Sequence, residues 1–237
     1  MTEHDALRQA RADLLYSHER NTSLCAPFLS VVPVTGASVS LLAGGAVQAT
    51  MCASDLTAAR LDEIQFDIGE GPCWDALSTR RPVLMPDLGN TDSDWPLFFD
   101  ALVGDPLGAS VRSVFAFPLF VGSLDIGAVD LYSTSTGPLQ HSQVTDATEL
   151  AGLAAWQVLR RILADHESGV DVEVEPTTGN RREVHQATGM VLAQLGVSAE
   201  DALLLLRAHA FSTGRSVAEV ANDVVERRLD FGSDNTA

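Results

Sequence analysis

The 237-residue chain contains no lysine. All fifteen of its cations are arginine, and against 32 acidic residues they leave a formal net charge of -17. Such a molecule repels nucleic acid at long range, so any surface that binds a polyanion has to be local and built from arginine. An apolar run of about eighteen residues is also missing, so nothing reads as a membrane-spanning helix. The opening stretch MTEHDALRQARADLLYSHER is mixed in charge and lacks the apolar centre of a signal peptide. The expectation is a cytoplasmic protein without a membrane partner.

Cysteine is scarce. Cys25, Cys52 and Cys73 lie far apart, and no C-x-x-C pair occurs. An odd count without an export signal predicts buried thiols rather than a disulfide framework. No set of His, Cys, Asp and Glu has the spacing of metal ligands, so no metal or cofactor is expected. Neither a nucleophile–base pairing nor a nucleotide-binding loop is visible, so no catalytic residue is assigned and the chain reads as a non-enzyme.

What the chain does have is the composition of a globular protein, 46% hydrophobic. Its clearest boundary is DHESGVDVEVEPTTGN, residues 165–180, which is acidic and has no helical stripe. It reads as a linker, although the valines alternating with acids would also suit a short edge strand. The predicted division is a body over 1–166, a linker over 167–180, a helical tail over 181–231 and a terminal segment over 232–237.

The body opens with a helix whose stripe is Leu7, Ala10, Leu14, Leu15 and His18, and a second helical stretch includes Leu24, Phe28 and Leu29. ASVSLLA, Gly44-Gly45 and AVQATMCAS read as a hairpin. Gly69 and Gly71 allow a tight turn, and Pro72 suits the start of a short helix to about Thr79. RPVLMPDL reads as a strand, with a helix following near Leu97 to Val103. SVFAFPLFVGSLDIGAVDLY reads as two buried strands about a Gly122-Ser123 turn. A long helix capped by Ser142 reaches about Ala164. On it Ala147, Ala151, Ala154, Val158 and Ile162 form a seam near heptad spacing. That seam and the stripe of the first helix predict a homodimer, although both could pack on the sheet instead. The fold class is α+β: an antiparallel sheet flanked by helices, then a small three-helix all-α domain.

In the tail, HQATGMVLAQLG has helical spacing yet carries Gly189 in its middle, where glycine costs about 1 kcal/mol relative to alanine. The small residues Ala187, Thr188 and Gly189 trade local propensity for close packing or surface access. The first tail helix spans about Arg181 to Leu195 and stops at Gly196. Ser198 caps the second, whose stripe is Leu203, Leu206 and Ala210. Ser216 and Glu219 form a capping box for the third, whose stripe is Val217, Val220, Ala221 and Val224.

HQATGMVLAQLG, SAEDALLLLRAHA and SVAEVANDVV, taken together and in this order, resemble an ANTAR domain, the RNA-binding module of bacterial antitermination regulators. GEGPCWDALSTRRPVLMPDL and the paired strands ending in DIGAVDLY resemble a GAF domain, a sensor of small molecules with a six-stranded sheet. Sensor first and ANTAR last is similar to the arrangement of actinobacterial transcription antitermination regulators. The resemblance implies a body that senses a signal and paired tails that bind RNA hairpin loops. ANTAR domains commonly have Ala-Lys-Gly where this chain has Ala187-Thr188-Gly189. The RNA-binding candidates are therefore Arg181, Arg182, His185, Thr188, Gly189, Arg207 and Arg215. Over residues 181–230, six arginines face seven acids, 6 − 7 = −1, so the tail is near neutral. For the body, Gly69, Gly71, Cys73 and Trp74 are the candidate contacts of a small-molecule ligand; the helix start at Pro72 could face an anion, although such a turn more commonly just packs the helix on the sheet. Two other readings stand beside this one. One is a non-enzymatic signalling or scaffold protein whose tail only dimerises or docks on protein. The other is a cyclic-nucleotide or similar ligand sensor without a nucleic-acid role.

Overall fold

Alternating residues along the central strands face two different environments, and this division organises the body. The computed structural model describes residues 3–17, 22–42, 49–89, 95–168 and 181–232. Within them the body runs α1 (Glu3–Leu15), α2 (Ala26–Val31), β1 (Gly36–Leu41), β2 (Ala49–Ala53), α3 (Leu56–Ile68), α4 (Pro72–Thr79), β3 (Val83–Met85), α5 (Pro96–Gly104), a 3-10 turn (Gly108–Ser110), β4 (Ser113–Val121), β5 (Leu124–Ser133) and α6 (His141–Ser168). The described strands form a five-stranded antiparallel sheet in the order β2-β1-β5-β4-β3. One strand fewer is present here than the six the resemblance implies.

One face of the sheet is dry. Ala37, Val39, Leu41, Phe115, Phe117, Leu119, Val129 and Leu131 pack there against α1, α2 and α6. The α6 seam is part of this layer: Ala147, Ala151, Ala154 and Val158 are all buried on the body's own core. The seam expected to join two copies instead closes the sheet of one. Alanines suit this place because they let a long helix lie close to the strands. The opposite face carries Ser38 and Ser40 beside Ala128 and Asp130 and is covered by α3 and α4.

Helix α3 was not anticipated, yet its signals are in the sequence. Asp55 caps it by accepting from Ala58 N–H, and Gly69 ends it at φ 78°. Ala58, Leu61 and Ile64 pack with Val114 and Tyr132 and with Phe98 and Leu102 of α5. The Gly44-Gly45 turn, His18, most of the linker and the last five residues fall outside the described residues.

Cys25 and Cys52 form a disulfide, with Cα atoms 6.1 Å apart. This corrects the expectation of three buried thiols. The start of α2 packs beside β2, which brings together two cysteines that the chain separates by 27 residues. Cys73 stands outside the disulfide and is buried. Closing a loop of this length restrains the unfolded chain by about 3–4 kcal/mol. Cys25→Ser with Cys52→Ser should therefore lower the unfolding free energy of the oxidised protein by that margin, seen in urea as a lower midpoint. An unchanged midpoint would show that the cross-link does not contribute.

The tail is α7 (Arg181–Leu195), α8 (Ala199–Thr213) and α9 (Val217–Val225). Ser198 accepts from Asp201 N–H, and Ser216 with Glu219 completes the capping box. Val184, Ala187, Val191, Leu206, Val220 and Val224 form its core. Phe66 of α3 belongs to the same cluster, so the body contributes a side chain to the core of the tail. Among the described residues no single helix is long and apolar enough to cross a membrane.

Candidate functional site

Five polar side chains meet between the sheet and α3. Ser40 and Thr50, cross-strand partners on β1 and β2, both donate hydroxyl hydrogen bonds to Asp62, the Ser40 bond at 2.5 Å. One turn further along α3, Gln65 donates its amide N–H to Asp130 of β5 at 3.2 Å. All five are at most 2% exposed. Burial pushes the Asp130 carboxyl up to about 8, helped by the charge of Asp62 and opposed by the Gln65 hydrogen bond. Asp130 is therefore largely neutral at pH 7.

Two further atoms stand out. Ser38 Oγ and Asp130 Oδ1 are buried and meet no hydrogen-bond partner among the described residues, and these two residues face each other across β1 and β5. A buried polar atom without a partner costs about 1–3 kcal/mol, so a pair of them is a place where a bound group would be stabilising.

Gln65 also links this cluster to α4. Its side-chain carbonyl accepts the Cys73 N–H at 2.9 Å, and its backbone carbonyl accepts the Trp74 indole N–H at 2.9 Å. The start of α4, expected to face an anion, is thus covered from within by an amide. Gly71, at φ 134°, leaves the room this requires, since a Cβ there would stand 2.7 Å from Gln65 Oε1. Of the four candidate ligand contacts, Gly71, Cys73 and Trp74 surround Gln65. Gly69 instead faces the tail.

That tail contact centres on Arg207. Its guanidinium lies 5.3 Å from the ring centre of Phe66 and 5.6 Å from that of Trp74. A Cβ on Gly69 would stand 2.8 Å from Arg207 Nη1, so glycine serves both the left-handed helix end and the approach of the arginine. Beside this contact a groove of about 590 Å³ runs between α3 and α5 on one side and α8 on the other.

The other RNA-binding candidates do not form one surface. Thr188 is only 6% exposed and donates its hydroxyl to Val184 O at 2.7 Å, so it faces the core of its helix bundle and cannot stand in for an exposed lysine. Arg215 pairs with Asp223 at 2.7 Å, which Arg228 also reaches at 2.6 Å. Their hydrogen bonds, Arg215 first, hold the Asp223 carboxyl below its usual value. Arg182 and Gly189 are exposed on α7, and a Cβ on Gly189 would meet open space. His185 is half-buried. The side chain of Arg181 falls outside the described residues.

Sequence reasoning did not single out Ser38, Ser40, Thr50, Asp62, Gln65, Phe66 or Asp130. The available signals were an aspartate inside the apolar run AVDLY and a polar pair at i and i+3 on a helix.

Beneath α3 the antiparallel sheet thus carries a buried cluster of polar side chains, the polar chamber, and the sheet domain is joined to a three-helix tail. A GAF domain model matches residues 20–156, more than half of the chain, and an ANTAR domain model matches residues 177–225. The chain belongs to the GAF domain family and carries an ANTAR domain, a known RNA-binding antitermination module. No match was found among curated proteins. Solved structures of similar fold include the GAF domain of a phosphoenolpyruvate-protein phosphotransferase from Acinetobacter, with TM-score 0.49 and 11% identity, covering 69% of this chain and 97% of that one. A GAF domain/HD domain protein from Geobacter sulfurreducens has TM-score 0.45 and 19% identity over 66% and 98%. Free methionine-R-sulfoxide reductase from Neisseria meningitidis, solved with its substrate, has TM-score 0.46 and 15% identity over 68% and 91%.

Proposed function

We propose that the chain is a cytoplasmic RNA-binding regulator of transcription antitermination, in which the GAF body senses a small molecule and the ANTAR tails of a homodimer bind paired RNA hairpin loops. The observation that carries this reading is the ANTAR match over a tail that folds as three capped helices. The domain limits follow the sequence reading: 1–166, 167–180, 181–231 and 232–237. With the proton on Asp130 and a hydroxyl on Ser38, these two groups have hydrogen bonds to donate, which favours a polar ligand carrying acceptors, held beneath α3 near Gly71, Cys73 and Trp74. The second copy docks on the outer face of α6, where Trp156 and Leu163 are 55% and 56% exposed. Gly152, one turn from Trp156, has open space where a side chain would stand, which admits a large ring from the other copy.

Filter binding against hairpin RNA tests the reading. Arg182 is exposed at the start of α7 and Arg181 is its neighbour in sequence, so on this reading Arg181→Ala with Arg182→Ala should flatten the log–log salt dependence of binding. The expected change is roughly 0.7 per lost phosphate contact on single-stranded loops. An unchanged slope, with no hairpin competing better than bulk RNA, favours the scaffold reading, in which the tail docks on protein. Thr188→Lys is not a gain-of-binding variant here, because the site is buried.

A further inference from the structure

We propose that the sensor restrains its own tail by clamping Arg207 between Phe66 and Trp74, and that a change at the polar chamber opens this clamp through Gln65. The consequence for RNA rests on the function proposed above; the clamp itself does not.

Three observations carry the proposal. Arg207 is the cation through which α8 meets the body, and it lies over two aromatic rings of the sensor, an arrangement that is attractive and stronger when shielded from water. Phe66 is 3% exposed and clusters with the core residues of the tail. The rest of the contact is open: Leu204 and Phe211 of α8 border the adjoining groove and are 62% and 70% exposed. A small anchored contact beside an open groove is the kind of domain interface that releases reversibly.

The route from chamber to clamp is one residue long. The Gln65 side chain holds Asp130 and the start of α4, while its backbone oxygen holds the indole of Trp74. A ligand that takes over the hydrogen bond to Asp130 displaces the Gln65 amide, frees Cys73 N–H and shifts the helix that carries Trp74. Phe66, the next residue on α3, moves with it. Both halves of the clamp therefore respond to the same event. While the clamp is closed, the Arg207 guanidinium is held against the sensor's rings and is not offered to RNA.

Hydrogen exchange on the full chain tests this directly. In Trp74→Ala, and independently in Arg207→Gln, amides of α8 and of the last turn of α3 should exchange about tenfold faster, with the sheet unaffected. Trp74→Ala should also tighten binding of a randomised-loop hairpin panel about tenfold, whereas Arg207→Gln should not, since it removes the released cation. If Trp74→Ala unfolds the body, the Arg207→Gln exchange result decides. Unchanged exchange in folded Arg207→Gln overturns the clamp. Faster exchange with unchanged hairpin affinity keeps the clamp and overturns its restraint on RNA. Faster exchange with no hairpin binding by any form keeps the clamp and removes the RNA function instead.

Discussion

The stability of the protein is expected to fall as pH rises from about 4 to about 8, and Asp130→Asn is expected to remove most of that fall. Burial holds the Asp130 proton in the native state up to about 8, whereas the unfolded chain releases it near 3.8. Between these values the native state binds the extra proton, so each further pH unit removes up to about 1.4 kcal/mol. The contribution is complete below the lower value and lost above the upper one. The amide in Asp130→Asn is neutral throughout and can still accept from Gln65. The check is urea unfolding of both forms at pH 5, 6, 7 and 8. Parallel curves would place the proton elsewhere.

The second large effect separates packing from assembly. Ala151→Glu with Ala154→Glu should abolish the folded state. Both positions are at most 1% exposed against the sheet, and each buried carboxylate costs several kcal/mol. Total stabilities of 5–15 kcal/mol do not absorb two such groups. Trp156→Glu, on the exposed face of the same helix, should leave the circular dichroism spectrum intact and convert the dimer to a monomer in light scattering. A folded monomer from the double glutamate variant would return the alanine seam to the dimer interface, and a folded dimer from Trp156→Glu would exclude the outer face.

The sequence was most legible where local chemistry decides the structure. Ser198, Ser216 and Glu219 announced the tail helices because a cap is written within four residues. Pro72 and the Gly122-Ser123 turn worked for the same reason. Periodicity found the α6 seam but could not say which surface the seam covers, since a dimer interface and a sheet face ask for the same small residues. The disulfide was hidden because only the fold brings Cys25 to Cys52. The polar chamber was hidden for a related reason. Its members come from β1, β2, α3 and β5, and each reads alone as an ordinary strand serine or surface acid. Arg207 was read as an RNA-binding candidate from a motif match, and its contact in this structure is aromatic and intramolecular.

The two-faced sheet has a consequence for how such a protein can diversify. The dry face, with α1, α2 and α6, holds the body together without any residue of the chamber. Replacements at Ser38, Ser40, Thr50, Asp62 or Asp130 therefore change the chemistry of the wet face while leaving the scaffold's principal core in place. On the proposed mechanism, descendants of one fold can exchange chemical specificity on the wet side and inherit the same mechanical output, because the Gln65 bonds to Asp130, Cys73 and Trp74 need none of the residues that would vary except Asp130.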